Sequence, residues 1–163
     1  MLIVLKNKDT LIVDDFTFKC SIGKNGLSSR KKEGDGTTPK GTFSLGKVYY
    51  RADKVKKPVT QIPKKIIKKN MIWCDNPKDK FYNKETIKNE NSKYEKLFRK
   101  SDSYDYLVVI NYNTRKIIST KGSAIFIHLT KNYKKTAGCI ALNKKDLLIL
   151  LKLINKNTKI KIT

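Results

Sequence analysis

One histidine, His128, and three cysteines, Cys20, Cys74 and Cys139, are the only imidazole and thiol metal ligands in this chain. No Cys-x-x-Cys pair occurs, and a structural zinc site needs four closely spaced ligands. No metal and no other cofactor is therefore expected. Three thiols, odd in number and far apart, argue against a disulfide framework. Long apolar runs are missing as well. Ala124 to Leu129 and Leu147 to Leu151 are the longest, against roughly 20 residues for a membrane span, so no transmembrane segment is expected. The opening stretch MLIVL has no basic residues ahead of it and falls short of the ~7–15 apolar residues of a signal core. No secretion signal is visible in it.

Acidic residues are scarce, 14 against 37 basic ones, and the net charge is +23. One reading is an anionic partner: nucleic acid, acidic lipid or a carboxylate-rich cell-wall peptide. The other is a compositional bias. Lys, Asn and Ile crowd the chain, and Arg is confined to Arg30, Arg51, Arg99 and Arg115, a pattern that an AT-rich genome produces without any binding role. Against that bias, an arginine that persists points to geometry, such as two-pronged carboxylate recognition. The 163 residues, 39% of them apolar, suffice for one cored domain over 1–163 and not for two. A monomer is expected.

The first third reads as β. Met1 to Leu5, Thr10 to Val13 and Phe16 to Ile22 have strand composition, with turns at Asn7-Lys8-Asp9 and Asp14-Asp15. Gly23 to Gly41 is a long polar loop with five glycines, and long ordered loops are usually functional. Thr42 to Tyr50 returns to strand. Residues 51–103 are irregular and read as a polar insertion or lid. Within it, Val59 to Lys69 predicts a short helix interrupted at Pro63, Asn76-Pro77 a turn, and Ser92 to Arg99 a helical turn or two, with Ser92 and Glu95 in capping-box register. Tyr106 to Tyr112 and Ala124 to Leu129 are continuous apolar runs of strand length, hence central strands. Cys139 to Leu142 is a further short strand. Asn143 and Asp146 cap a helix that runs to about Ile154 with a broad leucine face. Thr158 to Ile162 alternates Lys and Ile and predicts an edge strand with its lysines in solvent. The fold class is mostly β, a sandwich or barrel-like mixed sheet with an insertion and a C-terminal helix.

The chemistry concentrates in SAIFIHLTKNYKKTAGCIAL, Ser123 to Leu142. His128 ends a buried strand, and Cys139 follows a loop directly after Gly138. A glycine there permits a tight turn and a close substrate approach, and the amides around Gly138 and Cys139 are expected to face a developing oxyanion. A free thiol has a pKa near ~8.5 and is a weak nucleophile at neutral pH unless an imidazole takes its proton. The competing reading makes His128 a satisfied core histidine and Cys139 a small buried apolar residue.

A strand ending in His, a loop and then [Ser/Thr]-x-Gly-Cys, here His128, Thr136, Gly138 and Cys139, resembles the signature of the YkuD-type L,D-transpeptidases. The long loop is similar to that family's Gly-x-x-x-Thr-Pro-x-Gly-x-Phe segment at Gly34, Gly36, Thr38, Pro39, Gly41 and Phe43. The resemblance continues through YYRAD, WCDNP, FYN, YEKLFR and YDYLVVINYN, from about Ile22 to Leu142, and is strongest to short, stand-alone proteobacterial members. Many members read Ser-His-Gly-Cys, where this chain reads Thr136-Ala137-Gly138-Cys139. The missing second histidine bears on how the loop is positioned, since the family's base is the upstream one, matching His128.

The resemblance implies a YkuD-like fold and two half-reactions on peptidoglycan stem peptides. Cys139 attacks the bond between an L-centre and a D-residue, a D-amino acid leaves, and an amine of a second stem resolves the thioester into a 3–3 or 1–3 cross-link. Water in place of the amine gives L,D-carboxypeptidase trimming. The resemblance also implies that His128 is oriented by the carbonyl of Leu129, that carbapenems acylate the site, and that action is periplasmic. Arg51, Arg99 and Arg30 suit stem carboxylates, Asp53, Asp75 and Glu95 an ammonium, and Trp73 and Tyr82 a groove wall. Thr136 is grouped with these substrate-side residues. For each charged residue the alternative is a surface ion pair worth ~0–1 kcal/mol. Cys74 and Cys20 read as packing, and Tyr104 and Asp105 as the start of a strand. A non-catalytic basic module remains a competing reading, without specific nucleic-acid recognition, since stacking and RNA-binding patterns are absent.

Overall fold

The computed structural model describes residues 1–87 and 94–163. The chain opens with β1 (Leu2–Lys6), β2 (Thr10–Val13) and β3 (Phe16–Lys19). The β1–β2 turn places Asn7 and Lys8 at φ 54° and 64°, the left-handed geometry that matches strand twist. In the long loop, β4 (Leu27–Ser28) pairs in parallel with β5 (Thr38–Pro39), so the loop closes on itself. Then come β6 (Gly41–Tyr50), β7 (Lys64–Ile66), β8 (Met71–Trp73), β9 (Glu85–Ile87), β10 (Glu95–Lys96) and a 3-10 turn at Asp102–Tyr104. The last third holds β11 (Tyr106–Ile110), β12 (Phe126–Leu129), β13 (Ile140–Leu142), α1 (Lys144–Leu153) and β14 (Lys159–Ile162).

The main sheet runs β13-β12-β11-β6-β14-β1-β2-β3, with β7 beside β6. Its two ends nearly meet. Ser21, just past β3, exchanges both backbone bonds with Ala141 of β13, each 2.9 Å. Inside this almost closed sheet lies the larger core, which includes Ile3, Leu11, Val48, Val108, Ile127, Ile140 and the helix residues Leu147, Leu150 and Leu151. Asn143 starts α1 by accepting the Asp146 amide at 2.9 Å, an N-cap that satisfies an orphan donor.

A three-stranded sheet, β10-β8-β9, covers the outer face of β6, β11 and β12. A second core forms between them from Tyr49, Met71, Trp73, Leu97, Tyr104, Leu107, Val109, Phe126 and Cys139. All five residues of β11 are buried for this reason. Period-2 alternation sends Tyr106, Val108 and Ile110 into the first core and Leu107 and Val109 into the second.

Three sequence expectations are corrected. Val59 to Lys69 forms no helix: Pro58 and Pro63 lack amide donors, and Lys64–Ile66 instead pairs in parallel with Val48–Tyr50. Of the helix expected over Ser92 to Arg99, Ser92 lies outside the described residues, while Glu95 and Lys96 pair with Trp73 and Ile72 as a strand. β14 is no edge. It lies between β1 and β6, although its lysines do face solvent. Alternation reports which face is buried and is silent on the number of neighbours.

Candidate active site

The period of β12 sets the site. Ile127 and Leu129 point into the first core, so Phe126 and His128 face the other way, toward the covering sheet. The parallel partner β13 aligns His128 with the small Ala141, and Cys139 stands two residues before Ala141 on the same face. Both side chains line one groove of about 1110 Å³.

Cys139 is 8% exposed. Its sulfur receives the Phe126 amide at 3.3 Å and donates to the Ala124 carbonyl at 3.3 Å. Burial pushes its pKa up to about 12, against a smaller downward pull from the Phe126 amide. His128 Nδ1 lies 2.9 Å from the Leu129 carbonyl oxygen. A carbonyl only accepts, so Nδ1 carries the proton and Nε2 is left as a free base. Burial lowers the His128 pKa to about 4, partly offset by that carbonyl and aided by the charge of Arg99. The resting pair is a neutral thiol and a neutral imidazole.

The turn before Cys139 is braced from two sides. The Thr136 hydroxyl donates to the Cys139 carbonyl at 2.6 Å and accepts the Gly138 amide at 3.1 Å. This corrects the expectation for Gly138, whose amide is engaged by Thr136 rather than turned to a substrate. From the long loop, the Thr38 hydroxyl donates to the Gly138 carbonyl at 2.7 Å and accepts the Gly23 amide at 2.9 Å. Gly138 adopts φ +150°, and a Cβ there would sit 2.8 Å from the Thr37 carbonyl oxygen, so only glycine fits.

Of the other residues singled out in the sequence, Asp75, Glu95, Arg99 and Thr136 line the same groove, together with Leu129 and Gly138. Arg99 binds the Glu95 carboxylate and stacks 3.8 Å from the Tyr104 ring. Burial, reinforced by the charges of Glu95 and Glu33, raises the Asp75 pKa. Arg51 and Asp53 lie elsewhere. Arg51 is buried, paired with Asp53 at 2.6 Å, and packed 3.5 Å over the Phe98 ring. It also donates to the Arg99 carbonyl, so it supports the Arg99 segment from beneath. Arg30 is exposed outside the groove. Trp73 and Tyr82 do not line the groove either. Trp73 packs edge-on to Phe126 at 5.2 Å and donates to Asn83 at 2.9 Å, and Tyr82 donates to Glu33. Cys20 and Cys74 are buried thiols outside the groove.

Three site residues were not found from sequence. Tyr104 belongs to the 3-10 turn rather than to a strand, and its ring lies 5.3 Å from His128 and 5.9 Å from Phe126. Glu33 lines the groove and accepts from Ser123 at 2.7 Å. Lys31, also in the lining, is 6% exposed and pairs with Asp35 at 2.8 Å. For Lys31 and Glu33 the available signal was charge inside the loop motif, and for Tyr104 the aromatic that opens YDYLVVINYN. Among the described residues no group of His, Cys, Asp and Glu is arranged to hold a metal ion, and no helix is long and apolar enough to cross a membrane.

Comparison with curated proteins gives no match. The model of the L,D-transpeptidase catalytic domain, YkuD, matches residues 1–162, and with nearly the whole sheet, the groove and its Cys139–His128 pair inside that match, the chain belongs to the YkuD family.

Proposed function

We propose that the protein is a peptidoglycan L,D-transpeptidase in which Cys139 is the acylated nucleophile and His128 its base. One observation carries this reading: His128 is held through Nδ1 by its neighbour's carbonyl, leaving Nε2 free in the groove that Cys139 lines. As the sulfur adds to the carbonyl carbon of the donor's L–D peptide bond, Nε2 takes the thiol proton. The carbonyl oxygen becomes an oxyanion. With the Gly138 amide engaged by Thr136, the Cys139 amide is the main-chain donor of this turn left to receive it. Collapse breaks the C–N bond, His128 returns the proton to the leaving amine, and a D-amino acid departs from a Cys139 thioester. An acceptor amine then gives a proton to Nε2 and attacks the thioester; the C–S bond breaks, and the leaving sulfur takes that proton back from Nε2 as the thiol. Arg99 suits a stem carboxylate, and Asp75 and Glu95 an ammonium. The place of action is then the periplasm, where the stems are.

The test is incubation of the purified protein with tetrapeptide muropeptides, following D-amino acid release and the mass of the protein. The wild type is expected to release D-alanine and carry one acyl adduct on Cys139, and Cys139→Ala to do neither. New dimers identify an amine acceptor, and tripeptide monomers identify water. Release undiminished in Cys139→Ala would sink the assignment.

A further inference from the structure

Lys31 stands apart from every other lysine described: it alone is buried, its side chain 4% exposed. Removing an ammonium from water is costly unless a partner compensates it. Its Nζ meets Asp35 at 2.8 Å and, weakly, the Lys32 carbonyl at 3.5 Å. An ammonium has three donors, so capacity remains on the side facing the groove. That side is the nucleophile turn: a Cβ on Gly138 would lie 3.4 Å from Nζ, and both residues line the groove with Cys139.

Holding the loop does not require this charge. Asp35 also accepts the Lys32 amide at 2.7 Å, the Thr37 amide at 2.9 Å and the Thr37 hydroxyl at 2.8 Å. Although burial acts upward, these bonds and the one from Lys31 keep the Asp35 carboxyl at about 2, so it is a fixed anion that locks the ammonium in place. With thiol and imidazole both neutral at rest, the charge of Lys31 gains little before reaction. It gains when the sulfur gives up its proton, which is the differential stabilisation that speeds a step.

We propose that Lys31 is a positioning residue of the nucleophile turn, a fixed positive charge that favours negative charge on the Cys139 sulfur as acylation begins. This rests on Cys139 being the nucleophile. Three charges act on the thiol: Glu95 upward, and Arg99 and Lys31 downward, Lys31 least of the three.

The experiment measures alkylation of Cys139 by iodoacetamide from pH 7 to 10, located by mass, in the wild type, Lys31→Arg, Lys31→Met and the double variant Lys31→Met/Asp35→Asn. The double variant removes both charges together and leaves no unpaired carboxylate, and a melting curve checks its fold, because an amide at position 35 keeps only part of the bonds that the carboxylate accepts. The two variants without the Lys31 charge are expected to react about threefold more slowly at each pH, because a one-unit rise in thiol pKa cuts the thiolate fraction about tenfold and its greater nucleophilicity returns part of the loss, and Lys31→Arg to recover most of the rate. A folded double variant alkylated at the wild-type rate would overturn the proposal, as would a Lys31→Arg protein no faster than the double variant. Iodoacetamide needs no peptidoglycan, so failure here is separable from failure to release a D-amino acid.

Discussion

His128 binds the main-chain oxygen of Leu129, its own neighbour, at 2.9 Å, so the imidazole is oriented by backbone, and among the described residues no carboxylate bonds it. Burial therefore acts on the imidazole unopposed by a negative charge and lowers its pKa to about 4. Acylation by Cys139 should hold its rate down to about pH 5 and lose it below, with an acid limb near 4 rather than near the ordinary ~6.5. The same shift bears on stability. The unfolded chain binds a proton near ~6.5 and the folded one only near 4, so stability is intact above the unfolded value and declines as pH falls toward the folded one. The full effect is up to about 3 kcal/mol. Melting curves of the wild type and His128→Gln between pH 7.5 and 4 check this: the wild type should lose more stability than the variant. Parallel losses would mean that the imidazole is not kept neutral by burial.

Thr136 closes the turn with one hydroxyl that donates to the Cys139 carbonyl and accepts the Gly138 amide. Thr136→Val keeps the shape and removes both bonds, each worth ~0.5–1.5 kcal/mol. The expected result is a turnover number about tenfold lower with KM little changed, because the bonds position the nucleophile and touch no substrate. Thr136→Ser should restore most of the turnover. A rise in KM alone would place the hydroxyl on the substrate instead.

Gly138 is fixed by a backbone that an L side chain rarely adopts and by the Thr37 carbonyl 2.8 Å from where a Cβ would be. Strain of this kind costs ~1–3 kcal/mol. Gly138→Ala should lower the melting temperature by several degrees and move the Cys139 sulfur off its two partners, Phe126 N and Ala124 O. Loss of D-amino acid release with a smaller loss of iodoacetamide reactivity is the expected pattern. A variant with wild-type turnover would show that the turn has another way to fold.

What the sequence made legible follows from what a local pattern can encode. The run over β11 is apolar throughout because both faces are covered, β12 breaks that pattern only at the half-buried His128, and the Asn143 cap marks the start of α1 in four residues. The segment 51–103 was not legible. Its strands are two or three residues long, and whether Glu95–Lys96 pairs with Ile72 and Trp73 is decided by packing against Phe126 and Leu107, not by its own residues. Lys31 is hidden differently: among the described lysines, burial is the one property that separates it, and burial has no local signature. Arg51 and Arg99 looked equivalent, since scarcity marks an arginine as held by geometry without saying by which.

The two arginines give the remaining prediction. Arg99 lines the groove with its side chain 33% exposed, while Arg51 is 6% exposed and outside it. Arg51 ties Asp53, the Phe98 ring and the Arg99 carbonyl together, so Arg51→Met should lower the melting temperature by several degrees and reduce activity only as folded protein is lost. Arg99→Met removes a partly exposed ion pair with Glu95, worth ~0–1 kcal/mol to the fold, so melting should scarcely change. If Arg99 receives a stem carboxylate, the lost charge-assisted bond of ~1.5–3 kcal/mol raises KM for the donor about 10–100-fold. The measurement is steady-state D-amino acid release against donor concentration, beside a melting curve for each variant. An Arg99→Met protein with unchanged KM would move carboxylate recognition elsewhere in the groove, and the lysines beyond His128, Lys131 and Lys134 among them, would be next to replace.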